Sequence, residues 1–157
     1  MSYNADVVRA ATVTPAIFVL PAGLMGASGV ILAAAGAHAA PNAGVESAAY
    51  MLLFHAAAVL GGAALTQQAL FWRPLMLVVL GAWVVGAALF SGDIAIRVFA
   101  GHRLFAMAAP AGGTILIAAW LALSGAAICA LIRHAGWTLR HQSSLLDWAS
   151  VSLLGAE

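Results

Sequence analysis

The chain offers little for chemistry: five histidines, one cysteine, six basic and five acidic residues among 157. His55 is the first to weigh. It stands inside the charge-free window 47–72, about ten positions into a helix expected at 45–67, hence about 15 Å from its start. Ionisable side chains at that depth in an apolar segment usually face a bundle interior. Axial ligation of haem, relay of a proton and contact with a quinone are the chemistries that suit it. A plainer role is favoured, because no second titratable group stands at the same depth. In that role a neutral imidazole gives its N–H to a backbone carbonyl or a Ser/Thr hydroxyl on a neighbouring helix.

His38 lies near the expected end of helix 1, about 4–5 Å below that boundary. His55 is then about 10 Å deeper, so the two imidazoles do not share one haem iron. Ligation with a partner's histidine stays open. On the same side as His38 the connection after helix 3 collects Asp93, Arg97, His102 and Arg103. Asp93 and Arg97 are four apart and pair if the helix runs through them. A His38–Asp93 contact is expected from common depth, with separate solvated groups as the alternative. The candidate polar positions are therefore His38, His55, Asp93 and Arg97. Cys129 stands alone in an apolar run, which excludes an intrachain disulfide or a thiolate metal cluster. No metal site and no catalytic residue is expected. Ion-coupled transport needs a membrane-embedded carboxylate; helix 1 has none and the other acids lie near ends or tails, so a small dimeric transporter is the weakest functional class.

The elements that must position these groups follow from composition. The chain is 64% hydrophobic and 7% charged, against about 25% charged in soluble domains. A soluble fold of this size could not hide so much apolar surface, so this is a membrane protein. Its charges are Arg9, Arg73, Arg97, Arg103, Arg133, Arg140, Asp6, Glu46, Asp93, Asp147 and Glu157, a net of +1. That balance gives no basic field to grip nucleic acid. The windows 10–45, 47–72, 74–92 and 104–132 are free of charge, and each can hold the roughly 20 residues of a spanning helix. Helices are expected at about 15–40, 45–67, 71–97 and 107–133. The alternation of a transmembrane barrel is missing. The expected fold is all-α: an antiparallel four-helix bundle over 15–134, after an N-terminal segment 1–14 and before a C-terminal tail 135–157.

Turn chemistry fits those boundaries. Pro41-Asn42-Ala43-Gly44 is expected to close a tight hairpin, Glu46 to sit in the first turn of helix 2, and Gly101-His102-Arg103 to form the third connection. Thr66-Gln67-Gln68 and Arg73-Pro74 mark the second. Short links favour antiparallel neighbours. Arg9, the apolar stretch and Ala37-His38-Ala39 imitate a secretory signal, but the stretch is too long for a signal core, and it is expected to remain as helix 1. Arg9, Arg73, Arg133 and Arg140 share one side and Arg97 and Arg103 the other, which places both termini in the cytoplasm.

About a quarter of the residues are alanine and 16 are glycine. In a bilayer, helices associate by close backbone approach through small residues, a role expected for Gly26, Gly29, Gly36 and Gly86. Gly112-Gly113 lacks the following lysine of a phosphate loop and is expected to serve packing as well. Trp72, Trp137 and Trp148 suit an interfacial belt, whereas the deeper Trp83 and Trp120 are expected inside the bundle. The tail, with Leu145, Leu146, Trp148, Val151, Leu153 and Leu154, suits either an interfacial helix or a docking segment.

Several short motifs occur in a recognisable order. Gly26-Ala27-Ser28-Gly29 precedes Gly36-Ala37-His38; Tyr50 precedes His55 and an alanine-rich run. Phe90-Ser91-Gly92 follows, and then Gly101, Pro110, Gly112-Gly113 and Trp120. Over roughly residues 20–127 the chain resembles the small membrane proteins called domain of unknown function 423, whose animal members are named transmembrane protein 256. The resemblance implies a four-helix inner-membrane protein, here of a bacterial plasma membrane, with no established catalytic activity. It adds weight to His38 and His55 as matching polar positions and to Gly112 and Gly113 as part of the shared pattern. The chain departs from the family at Asp93, usually uncharged or serine, at Ala95, commonly tyrosine, and in its extension past about 134. The expected role is a non-enzymatic accessory or assembly subunit of a larger membrane complex, with the lipid bilayer and other membrane subunits as partners and no cofactor. The alternative is a haem- or quinone-associated electron-transfer protein using His55.

Overall fold

In the computed structural model the backbone is described for residues 2–38, 43–68 and 70–154, and side chains for 17–38, 44–68 and 70–133. Four helices follow one another: α1 Ser2–His38, α2 Ala43–Gln67, α3 Arg73–Ala100 and α4 Ala108–Leu154. No strand occurs among the described residues. Within the helices, stretches long and apolar enough to cross a membrane are Ile17–His38, Gly44–Gln67, Arg73–Ala100 and Ala108–Arg133. Each contains the apolar part of one charge-free window, the second also taking in Glu46 and the third Arg73, Asp93 and Arg97, since a helix is the one open-ended structure that pairs all its backbone groups in hydrocarbon.

Helical backbone reaches further than the expected boundaries. It starts at Ser2, ahead of residue 15, and runs on to Leu154. Proline at the start of α3 sets one limit, with Trp72 extended before it (φ −61°, ψ 113°). At the other end Gly101 takes a left-handed conformation, φ 75°, which glycine adopts without steric penalty. The proposed hairpin at Pro41-Asn42-Ala43-Gly44 lies partly outside the described residues, Ala43 opening α2. The side chains of the tail lie outside them altogether.

The chain divides into two compact units, Met1–Leu123 and Ser124–Glu157. The second is helical to Leu154. In the first, the facing residues fix the direction of each helix. On α1 and α2, Gly36 meets Val45, Gly29 meets Ala49 and Leu53, and Gly26 meets Ala56, so one number falls as the other rises. On α2 and α3, Ser91 donates to the Ala48 carbonyl at 2.9 Å, while Gly62 meets Leu80 and Trp83. On α3 and α4, Gly112 meets Gly86 and Phe90, and Trp83 meets Trp120. Each consecutive pair is antiparallel.

The interior is made largely of small side chains. Ala22, Ala56, Val59, Ala63, Val79, Ala87 and Ala119 are buried around Leu80, Leu116 and Trp83. Large apolar side chains point outward instead, including Leu20 and Phe54, each 70% exposed. That is how a bundle in lipid economises on contact: bulky groups meet acyl chains at no cost, and small ones let backbones close up.

Candidate functional site

Two polar assemblies stand out in the first unit, one at mid-bundle and one where α3 turns into α4. At mid-bundle, His55 on α2 is buried. Its Nδ1 lies 2.9 Å from the Met51 carbonyl, one turn earlier. The indole Nε1–H of Trp120 on α4 donates to His55 Nε2 at 3.2 Å. An indole nitrogen can only donate, so Nε2 must accept. The proton therefore sits on Nδ1 and goes to the Met51 carbonyl, a tautomer assigned from these partners. His55 is thus a neutral imidazole with both nitrogens engaged. Its carbonyl partner is on its own helix, where a neighbouring helix was expected.

Trp83 of α3 completes the group. Its ring centroid lies 4.5 Å from that of Trp120, at 43°, and the His55 and Trp120 rings meet edge-on at 6.2 Å. Both tryptophans were expected inside the bundle, and only Trp83 is buried; Trp120 is 45% exposed. Trp120 turns its indole N–H toward His55 and leaves the rest of the ring partly outside. Trp83 Nε1 is buried without an acceptor among the described residues. Trp120→Phe is expected to cost about 1–3 kcal/mol, the penalty for leaving a buried acceptor unmet, measured by detergent denaturation. An unchanged midpoint would mean that the indole bond contributes nothing.

The second assembly centres on Asp93, which is 1% exposed. One carboxylate oxygen pairs with the Arg97 guanidinium one turn later, as the four-residue spacing predicts. The other accepts the Leu104 backbone N–H at 3.0 Å. Asp93 therefore ties the connection 101–107 down onto α3. Arg97 remains 45% exposed, and Arg103 is exposed beside it. His38 ends α1 with its side chain exposed, and the expected His38–Asp93 contact is not made. Asp93 is buried on the inner side of α3 and paired with Arg97 and Leu104, whereas the His38 side chain at the end of α1 points outward.

The sequence placed Gly26, Gly29, Gly36, Gly112 and Gly113 as packing residues, and the structure grades them. A Cβ at Gly112 would stand 2.6 Å from both the Gly86 carbonyl oxygen and the Phe90 nitrogen. At Gly29 it would meet Leu53 at 2.8 Å and at Gly36 Val45 at 3.3 Å. Gly26 and Gly113 have ordinary clearance, 4.0 and 3.9 Å. Gly62, which the sequence did not single out, would meet Leu80 at 2.7 Å. It stands in a Gly61-Gly62 pair, and only three-dimensional facing tells which member packs.

Among the described residues, no three of His, Cys, Asp and Glu gather as a metal-holding group. Among the described residues, the His55–Trp120–Trp83 cluster brings nitrogen-bearing rings together in the apolar core.

No curated protein and no solved structure matches the chain. The family model described as Protein of unknown function (DUF423) matches residues 32–113, a stretch that carries His38, His55, Asp93, Arg97, Gly112 and Gly113. The four apolar helices are those of a multi-pass membrane protein; the match is just over half of the 157 residues, and the chain belongs to this family.

Proposed function

We propose that the protein is a non-enzymatic accessory or assembly subunit of a larger complex in a bacterial inner membrane, with both termini in the cytoplasm. The observation that carries this role is the set of helix glycines with no work to do inside the bundle. Gly23, Gly61, Gly81 and Gly92 have open space where a Cβ would stand. Glycine in a helix costs about 1 kcal/mol against alanine, and small residues on membrane helices admit a second backbone. Gly61 and Gly81 adjoin Gly62 and Leu80, which face each other, so both lie at one depth. Each leaves room beside the α2–α3 contact for a helix of another membrane protein to approach.

The polar groups agree with this role. His55 and Asp93 have their nitrogens and oxygens committed to Met51, Trp120, Arg97 and Leu104. Neither stands as an unpartnered general acid or base. Purification in a mild detergent is expected to retain a stoichiometric membrane-protein partner. Gly61→Phe and Gly81→Phe should weaken that retention about tenfold or more, as a misfit at an interface does, while leaving the denaturation midpoint unchanged. A clean monomer from native membranes, with no partner at stoichiometry, would overturn the role.

One observation favours a second role. The buried Trp83 N–H lacks an acceptor among the described residues, and a quinone carbonyl beside Trp120 and His55 would supply one. Haem fits less well, because iron would displace either Met51 or Trp120 from a nitrogen His55 already uses. Solvent extraction that returns one quinone per chain would support this role. No quinone, together with an optical spectrum free of a haem band, would exclude it.

A further inference from the structure

Between the end of α3 and the first turns of α4 lies a groove of about 500 Å³. Its polar end is formed by Arg97, Arg103 and the buried Asp93, and its apolar side by Phe90, Pro110 and Ile117. Two of the chain's six basic residues thus line one cavity. Asp93 offsets one of them, and both its oxygens already have partners. The cavity keeps a surplus of one positive charge, carried on guanidinium groups that are exposed or half-exposed. The start of α4 adds the positive end of its dipole.

Depth can be read from the neighbours. Phe99, Leu104, Phe105 and Met107 are 54%, 45%, 48% and 61% exposed on the short connection and its flank. A connection washed by water would not hold four bulky apolar side chains outward. At the bilayer interface the same side chains sink among the glycerol and upper acyl carbons while arginine heads stay at the phosphates. Ile117, 63% exposed, continues the apolar wall toward the hydrocarbon.

We propose that this groove is a binding site for an anionic phospholipid of the surrounding bilayer. Arg97 and Arg103 hold the headgroup phosphate, and one acyl chain runs along Phe90 and Ile117. Arginine suits the task because its planar fork meets two phosphate oxygens at once. Charge selects the lipid: a zwitterionic headgroup brings a cation of its own against the surplus positive charge, and an anionic one does not. The continuous apolar wall commits the site to a lipid in place of free phosphate, which would leave that wall without an occupant.

Native mass spectrometry of the full chain, released from detergent after exchange with phosphatidylglycerol or phosphatidylcholine, tests this. One phosphatidylglycerol per chain is expected to survive, and phosphatidylcholine to be lost. Arg103→Gln, which leaves the Asp93–Arg97 pair in place, should reduce retention about tenfold, the value of a charge-assisted bond. Arg73→Gln, at the other end of α3, should leave it unchanged. Equal retention of the two lipids, or no effect of Arg103→Gln, overturns the proposal. Displacement of the lipid by millimolar inorganic phosphate alone also overturns it, since it would make the site one for the free anion.

Discussion

Gly112→Ala is expected to destabilise the bundle by about 3 kcal/mol, the upper part of the range for forcing volume into a packed core. The added methyl would meet two backbone atoms, the Gly86 carbonyl oxygen and the Phe90 nitrogen, both at 2.6 Å. Neither can rotate away as the tip of a side chain does, so α3 and α4 must move apart. That separation would also loosen Trp83 from Trp120, whose rings stack across the same pair of helices. Gly113→Ala is the control, since its methyl would find Phe90 at a comfortable 3.9 Å. It should change stability by no more than about 0.5 kcal/mol, or gain slightly from helix propensity. Denaturation in mixed micelles compares the two. Equal midpoints would contradict the backbone crossing at Gly86 and Gly112.

Substitutions around Asp93 should show an asymmetry that exposure alone would not predict. Arg97 is 45% exposed and Asp93 is 2% exposed by side chain, yet Arg97→Ala is expected to cost at least as much as Asp93→Ala. Removing the arginine leaves a buried carboxylate without its cation, a loss of about 3–5 kcal/mol where no substitute reaches it. Removing the aspartate frees the arginine toward water and headgroups and strands only the Leu104 N–H, about 1–3 kcal/mol. Asp93→Asn keeps an acceptor for that N–H and should cost less than alanine. The double Arg97→Ala, Asp93→Ala variant should fall well short of the sum, because the two residues act as one pair. Hydrogen exchange should rise across residues 101–107 in the Asp93→Ala variant. A strictly additive double variant, or exchange unchanged in that connection, would contradict the tie.

Much of the fold is legible from scarce charge, because a membrane pushes most charged residues toward the ends of the spans. Glu46 and Arg73 stand in the first residues of the second and third spans, and Arg103 lies between the third and fourth; Asp93 and Arg97 fall inside the last turns of the third. Proline in the first turn of α3 and Gly101 at its end show local chemistry agreeing with the larger pattern. The Asp93–Arg97 pair follows from spacing within one helix, which sequence carries directly. Contacts between helices are less legible. His55 and Trp120 are 65 residues apart, and depth alone says that they share a level without saying that they face each other. The expected His38–Asp93 contact failed for the same reason: depth along the helices does not encode the direction of each side chain. Glycine shows the limit most sharply. Gly61 and Gly62 are identical in composition and adjacent in sequence, yet one has open space beside it and the other is pressed against Leu80.

That the open small-residue positions of α2 and α3 receive another membrane protein is tested most directly by a photoreactive amino acid placed at position 81 or 61 and activated in native membranes, with position 121 as control. Leu121, on α4, is 67% exposed and bulky, as befits a lipid-facing site. One discrete protein adduct is expected from positions 81 and 61 and none from position 121. Adducts absent from all three positions, or equal at all three, would contradict that role.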